Sequence, residues 1–229
     1  SATLAACTPS RARRSSSVPA VRRTSRRHAI SRSTSSWRRD SGMAGSVARQ
    51  RRPAMTAGGP ASGGSALGVQ RINRVEDLPA AMVSCFAYGD TVMVERYVEG
   101  VEVALAVVDL GDGPQALPAV EIAPESGVFD YTARYTPGLT EYHAPARIDD
   151  DVAARAAAVA VRVHEVLGLA DLSRTDAIIT PDGEVHFLEV NVSPGLTETS
   201  MFPMAIEAAG YELGDVIARL LAARASTAG

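Results

Sequence analysis

From about residue 60 onward the chain shows readable alternation of apolar and polar positions. A glycine-rich stretch, Gly63-Gly64-Ser65-Ala66-Leu67-Gly68, leads into a short strand over 69–72. Leu78, Ala81, Met82, Cys85 and Phe86 then fall on one face of a 3.6-residue period, which predicts a helix. Glu76 and Asp77 stand in its first turn, where the helix dipole favours acids, and Pro79 is tolerated there because its missing N–H lies near the orphan end. Gly89-Asp90 closes that helix. Residues 91–98, 101–108 and 117–122 are apolar, β-branched runs that predict strands, with Gly111-Asp112-Gly113 as a turn. Residues 124–142 show no apolar period, and a long loop inside a compact domain is usually functional. A helix opens at 149–151, carries Val152, Ala156, Val159, Val163, Val166 and Leu167 on its apolar side, and ends on Gly168 as a left-handed cap. Strands over 172–180 and 184–190 flank Pro181-Asp182-Gly183, and a last helical stretch over 200–223 is interrupted near Gly210. No internal repeat is present. Hairpins dominate, so the order predicts an α+β fold with a mostly antiparallel sheet and flanking helices.

Charge divides the chain. Residues 1–58 hold thirteen arginines and one acid, Asp40, whereas 59–229 hold ten arginines and twenty-five acids. The leader is Arg, Ser and Ala with almost no apolar period, so it cannot bury enough surface to offset chain entropy and is expected to be disordered. Arginine clusters can bind nucleic acid, but no aromatic platform or folded reader accompanies them, so a nucleic-acid role is disfavoured. An organelle transit segment and a twin-arginine export signal are further readings, the latter without its apolar stretch. Against all three stands GC-rich DNA read in a wrong frame, in a chain that starts at Ser1. Cys7 and Cys85 lie far apart with no CxxC spacing, which indicates neither a disulfide framework nor a metal knuckle and suits a reducing compartment. No run of 18 apolar residues exists, so no membrane span is expected.

The densest chemistry sits on the hairpin after residue 172. An even-length loop centred on Asp182-Gly183 would set Asp176 opposite Glu189 and Arg174 opposite Asn191, all on one face. Two carboxylates side by side repel, and a hard cation with oxygen ligands resolves the conflict; Asp, Glu and an Asn carbonyl suit Mg²⁺. The bland alternative is a solvated polar face with Arg174 as local counter-ion. A three-residue loop with a bulge would shift the register and turn Glu189 away. Beyond Asn191, Gly195 permits close backbone approach, and Ser200 precedes a helix start marked by Pro203. Ser200 is then either an anion site at a helix N-terminus or simply an N-cap. The glycine-rich stretch suggests a phosphate cradle of backbone N–H groups, although flexible linkers look similar and no P-loop Gly-Lys-Ser/Thr follows.

Together these pieces resemble the D-alanine–D-alanine ligases of the ATP-grasp superfamily, over roughly residues 60–221. The resemblance rests on Leu188-Glu189-Val190-Asn191-Val192-Ser193-Pro194-Gly195-Leu196-Thr197 with Ser200, on Arg174-Thr175-Asp176, and on Phe129-Asp130-Tyr131-Thr132-Ala133-Arg134-Tyr135. The glycine loop and Val94-Glu95-Arg96-Tyr97-Val98 with Glu102 fall in the family's order. The resemblance implies an ATP-grasp fold, with 59–100 as part of a central subdomain and 101–229 as the catalytic subdomain behind the 1–58 leader. It implies that Glu95 and the Val98 backbone hold adenine and that Glu102 holds the ribose. Ser65 would sit over the phosphates, and Arg134 would stand where the family has a Lys reaching the terminal phosphate. Asp176, Glu189 and Asn191 would bind two Mg²⁺ ions, with Mn²⁺ as a substitute. Arg174 and the Gly195 backbone would stabilise an oxyanion, Ser200 and the Met201 N–H would hold the second substrate's carboxylate, and Tyr135 would bond Ser65 to close the 124–142 loop. The implied reaction joins two D-alanine molecules through an acyl phosphate for peptidoglycan synthesis, in the cytoplasm, by a protein that is a homodimer in the intact family.

Two departures stand out. Gly59 occupies the place of the family's phosphate-binding lysine before Pro60-Ala61, and no lysine occurs anywhere in the chain. The Arg-rich leader sits where the family has an N-terminal domain that contributes an acid to the Ser65–Tyr135 set. A frame break near 57–60 would explain both, and the chain is then expected to have little ligase activity.

Overall fold

The computed structural model describes residues 64–227, with side chains to 225, and only the backbone of 22–23, 28–31 and 55–60. Most of the leader, including Cys7 and Asp40, lies outside the described residues. Its described pieces are three strands, β1 (Arg22–Arg23), β2 (His28–Ser31) and β3 (Met55–Pro60).

Two sheets organise the described residues. In the smaller one the order is β2-β5-β3-β4, with β4 at Gln70–Ile72 and β5 at Thr91–Arg96, all antiparallel. Helix α1 (Leu78–Cys85) covers it, preceded by a 3-10 turn at Val75–Asp77. The apolar face read from the sequence is the one that packs: Ala81 and Cys85 are buried with Ile72, Val92 and Val94, and Leu78, Met82 and Phe86 border them.

The larger sheet begins with β6 (Val101–Asp109), in which every residue from Val103 to Val108 is buried. Continuous burial on both faces makes this a central strand. Its order is β1-β11-β10-β6-β8-β9, with β7 (Pro114–Ala116) also on β6. Among the described strands only the β1–β11 pair is parallel. On one face α3 (Asp150–Val166) packs Val152, Ala156 and Ala160 against Val103, Leu105, Ala177 and Ile179. On the other, α4 (Met201–Ala208) and α5 (Leu213–Thr227) press Phe202, Ile206, Val216 and Leu220 onto Ala104, Ala106, Val108 and Val120. That second face is roofed at one end only, which leaves Glu102 and Asp176 at the open end.

Three expectations are corrected. The single strand over 117–122 is instead β7 and β8 (Val120–Pro124), separated at 117–119. Pro118 offers no ladder N–H there, and Leu117 donates alone to the Ala106 carbonyl at 2.9 Å. The 124–142 loop contains α2 (Tyr131–Tyr135) and β9 (Thr140–His143). Asp130 starts that helix by accepting from the Ala133 N–H at 2.9 Å, a cap too short-ranged to leave a period in the sequence. On α3 the buried stripe steps by four through 152, 156, 160 and 164, so His164 is buried whereas Val166 and Leu167 are exposed. The buried His164 ring meets the Ser173 hydroxyl on β10 at 2.9 Å. Gly168 caps the helix at φ 60°, with the Leu169 N–H returning to the His164 carbonyl at 2.9 Å.

Candidate active site

The hairpin of β10 (Leu172–Ile179) and β11 (Val185–Asn191) decides the geometry. Its loop is the three-residue kind: Gly183 sits at φ 78°, its N–H donates to the Thr180 carbonyl at 2.8 Å, and the Thr180 N–H donates to the Glu184 carbonyl at 3.0 Å. This odd loop sets Ile178 opposite His186 and Ala177 opposite Phe187. Continued unchanged, that register would pair Asp176 with Leu188. Instead the register shifts between Asp176 and Ala177, and Asp176 faces Glu189 while Arg174 faces Asn191. Leu188 is the extra residue of a β-bulge. The bulge undoes the offset of the loop, and both Leu188 and Glu189 line the cleft.

That cleft is a cavity of about 530 Å³ between the two sheets. Such a volume suits a ligand of nucleotide size. Ser65, Glu95, Val98, Glu102, Arg134, Asp176 and Glu189 all line it. Arg174, Asn191, Tyr135, Gly195, Ser200 and Met201 are not in its wall. Arg174 and Asn191 share the sheet face of Asp176 by register. Gly195, Ser200 and Met201 follow β11 into α4.

Charge is unbalanced at the open end of the sheet. Arg174 grips Asp176 with two bonds, Nε to Oδ1 at 2.7 Å and Nη2 to Oδ2 at 2.9 Å. Burial alone would lower the Arg174 pKa, but the Asp176 bond and charge, with Glu189 and Glu102, hold it above its ordinary value. Two arginines, Arg174 and Arg134, do not neutralise three acids. Burial, and then the Asp176 carboxylate, push the Glu102 carboxyl up to about 7, with Glu189 adding and Arg134 and Arg174 opposing. Excess negative potential at Glu102, Asp176 and Glu189 is what a divalent cation would balance, so the residues present fit Mg²⁺. Among the described residues no three Asp, Glu, His or Cys side chains close on one point. An ion there would therefore draw further oxygens from Asn191, phosphate or water. The Asn191 Oδ1 already accepts from the Ser193 N–H at 2.9 Å and keeps its second lone pair.

The Glu102 shift has a testable sign. The folded chain holds this proton more tightly than the unfolded chain, whose value is 4.5, so stability falls as pH rises from about 4.5 through about 7. Glu102→Gln removes the titrating charge. The variant is expected to match the wild type at about pH 4, below both values, and to be about 1–2 kcal/mol more stable at pH 8, less than the full shift because the side chain is only part-buried. Thermal melts at the two pH values check it, and a less stable variant at pH 8 contradicts it.

The phosphate-loop candidate and the segment between β8 and β9 meet. The Ser65 hydroxyl lies 2.7 Å from the Tyr135 hydroxyl. Ser65 and Ala66 have φ of 60° and 54°, and the Leu67 N–H returns to the Gly64 carbonyl at 3.3 Å. Left-handed backbone costs an L-residue roughly 1–2 kcal/mol, so two in succession mark a constrained loop. Arg134, on the same short helix as Tyr135, stacks its guanidinium 4.3 Å over the Phe129 ring. Its Nε is buried with no partner among the described residues. A half-buried cation with a buried, unmet donor, in a cleft wall, suits an anionic ligand.

At the far end Ser200 is the N-cap residue of α4, yet its side chain makes no capping bond. The hydroxyl turns to Thr197 Oγ1 at 2.8 Å and rests against Gly195, where an added Cβ would lie 2.6 Å from it. The simple N-cap reading of Ser200 therefore fails. The N-terminal N–H groups of α4 are left for another acceptor.

Some cleft residues are not among the site residues expected from the sequence. Arg71 lies 4.1 Å over the Tyr97 ring, and Met93, Ile178 and Leu188 supply apolar wall. Glu121 also borders the cavity but is consumed structurally. Arg147 holds it through its backbone N–H, Nε and Nη2 at 3.0, 3.1 and 2.7 Å, and the side-chain bonds pull its pKa below the ordinary value. Only the pairing of β8 with β9 brings these two together. No helix among the described residues is long and apolar enough to cross a membrane.

Comparison with known proteins agrees with this geometry. The family model described as D-ala D-ala ligase C-terminus matches residues 30–222, which starts inside the segment read as leader. The D-alanine–D-alanine ligase of Anaeromyxobacter sp. (strain Fw109-5) is 41% identical over 162 residues, covering 71% of this chain and 51% of that protein. That of Syntrophotalea carbinolica is 37% identical over 163 residues, covering 71% and 52%. The chain thus spans about half the length of the curated relatives it matches. Among solved structures, the VanG D-Ala:D-Ser ligase from Enterococcus faecalis superposes with a TM-score of 0.66 at 32% identity, over 76% of this chain and 50% of that one. The D-alanine–D-alanine ligase from Bacillus anthracis, 24% identical, shares the fold with a TM-score of 0.62, over 76% of this chain and 55% of that one. The antiparallel sheet with flanking helices is the ATP-grasp arrangement of these ligases. The chain therefore belongs to the D-alanine–D-alanine ligase C-terminus family.

Proposed function

We propose that this chain is the nucleotide-binding and catalytic half of an ATP-dependent D-alanine–D-alanine ligase acting in the cytoplasm in peptidoglycan synthesis. The observation that carries the reading is one cleft in which Glu95, Val98 and Glu102 stand on β5, β6 and their link, Asp176 and Glu189 on the β10–β11 hairpin, and Ser65 beneath Tyr135. Adenine meets Glu95, the Val98 backbone and the apolar wall of Met93, Ile178 and Leu188. Glu102 accepts from the ribose hydroxyls. Ser65, the neighbouring backbone and Arg134 meet the phosphates. Asp176, Glu189 and Asn191 would hold Mg²⁺, which when bound neutralises charge on the transferring phosphoryl group.

The first D-alanine carboxylate attacks the terminal phosphate, giving an acyl phosphate and ADP, and the amine of the second D-alanine displaces phosphate. The Arg174 guanidinium keeps Nη1 for the oxyanion that develops, since Nε and Nη2 are engaged by Asp176. Ser200 and the Met201 N–H hold the acceptor carboxylate. Tyr135 on Ser65 closes the segment that excludes water from the acyl phosphate.

Calorimetric titration with ATP, with and without Mg²⁺, tests the reading. Mg²⁺-dependent binding is expected, while D-alanyl-D-alanine formation by this chain alone stays near background because Gly59 replaces the lysine of the resemblance. Gly59→Lys is expected to tighten Mg·ATP binding about tenfold, the usual order for one charge-assisted phosphate contact. No binding by the wild type sinks the nucleotide reading, and ready dipeptide synthesis sinks the expected inactivity. D-serine is the second acceptor to include, because the solved relative at 32% identity is named a D-Ala:D-Ser ligase.

A further inference from the structure

The glycine-rich loop ends on Gly68, and two side chains from the turn that closes α1 meet that residue. The fully buried Cys85 thiol donates to the Gly68 carbonyl at 3.3 Å. The Tyr88 ring lies against its Cα: a Cβ on Gly68 would sit 2.8 Å from Cδ2 and 3.0 Å from Cε2. Tyr88 is fixed in turn by its own N–H, which donates to the Cys85 carbonyl at 3.0 Å. Cys85 also belongs to the small core with Val92 and Val94 of β5, the strand that continues to Glu95. One short turn thus ties the far end of the phosphate loop to the strand that carries the adenine-side acid.

The loop needs such an anchor. A cradle of N–H groups works only when they converge on one point. Ser65 and Ala66 sit in left-handed backbone that relaxes if the loop is freed. The other fixed contact is Ser65 to Tyr135, on a segment that has to open for ligand entry. A contact that persists when that segment opens must come from beneath, and Gly68 supplies it.

We infer that Tyr88 and Cys85 are positioning residues that hold the phosphate loop in its binding shape through Gly68. A thiol is a weak donor, so the aromatic packing of Tyr88 carries most of the effect. Tyr88 is 49% exposed, so its removal empties no core. The inference rests on the nucleotide reading above for its consequence, but its first readout needs no ligand.

The test is amide hydrogen exchange on the ligand-free chain, followed by calorimetric titration with Mg·ATP, for the wild type, Tyr88→Ala, Tyr88→Phe, Cys85→Ser and Cys85→Ala. Leu67 and Val69 are the reporters, because their N–H groups donate to the Gly64 and Ala66 carbonyls within the loop. In Tyr88→Ala their exchange is expected to accelerate about tenfold with the melting temperature held within about 3 °C. The Kd for Mg·ATP is expected to rise about tenfold. Tyr88→Phe and Cys85→Ser are expected to behave as the wild type, with Cys85→Ala in between. Wild-type exchange at Leu67 and Val69 in Tyr88→Ala overturns the inference, as does faster exchange with an unchanged Kd. If Tyr88→Ala does not fold, Tyr88→Leu is read by the same two criteria. A wild type that binds no Mg·ATP overturns the nucleotide reading, and the exchange result alone then decides the anchoring.

Discussion

Arg174→Met is expected to lower the unfolding free energy by about 3–5 kcal/mol. Arg174 and Asp176 are both more than nine-tenths buried, with side-chain exposures of 7% and 8%. Removing the guanidinium leaves the Asp176 carboxylate in low dielectric beside Glu102 and Glu189, with two hydrogen bonds lost at once. Breaking one side of a buried pair costs more than the pair itself contributes, because the remaining charge cannot return to water. The double variant Arg174→Met, Asp176→Leu is therefore expected to regain most of the loss. Urea unfolding of the wild type, the single variant and the double variant checks both statements. A single variant within 1 kcal/mol of the wild type would show that Asp176 is relieved by some other group. Mg·ATP is expected to restore part of the stability of the single variant, since a cation at Asp176 does the neutralising instead.

The second large effect is at Gly100. Its φ is not in the left-handed region, so conformational freedom is not the reason for a glycine there. The reason is space. An added Cβ would lie 2.2 Å from the Ile179 carbonyl oxygen, 2.8 Å from its carbon and 2.7 Å from Ile178 Cγ2. Two of these atoms are backbone, in the strand paired with β6 through Val101 and Ile179, so nothing flexible can give way. Gly100→Ala is expected to cost about 3 kcal/mol or more, at the upper end for overpacking. It is also expected to weaken Mg·ATP binding, because Gly100, Val101, Glu102 and Ile178 form one corner of the cleft. Gly183 gives the contrast. There a Cβ meets the Arg155 Nη2 at 2.7 Å, the far end of a flexible side chain, so any cost of Gly183→Ala comes from its φ of 78°. Chemical denaturation of Gly100→Ala checks the prediction, and a loss under 1 kcal/mol refutes it.

Periodicity located α1, α3 and the β10–β11 hairpin because each buries one face, and one buried face imposes a period on the residues that make it. It failed where the stabilising contact is not periodic. α2 depends on the Asp130 cap, β9 on pairing with β8, and the break at 117–119 on a proline that cannot join a ladder. The buried stripe of α3 includes His164, which no hydropathy pattern would choose; its Nδ1 meets the Ser173 hydroxyl, on a strand nine residues away. The hairpin is the sharpest case. An even loop aligns Asp176 with Glu189, and a three-residue loop is expected to turn Glu189 away; the loop is the three-residue kind, yet the alignment is restored by Leu188, whose bulge no local residue preference announces.

What the residues alone determined is the inventory of acids, arginines and hydroxyls and the strand or helix that carries each, because alternation and capping act within a few neighbours. Which of them face one cavity was settled by the packed sheets. The bulge at Leu188, the meeting of Ser65 with Tyr135 seventy residues away and the crowding at Gly100 all arise between segments distant in sequence. Close packing and cross-strand register act only once those segments are brought together, so no window of sequence contains them.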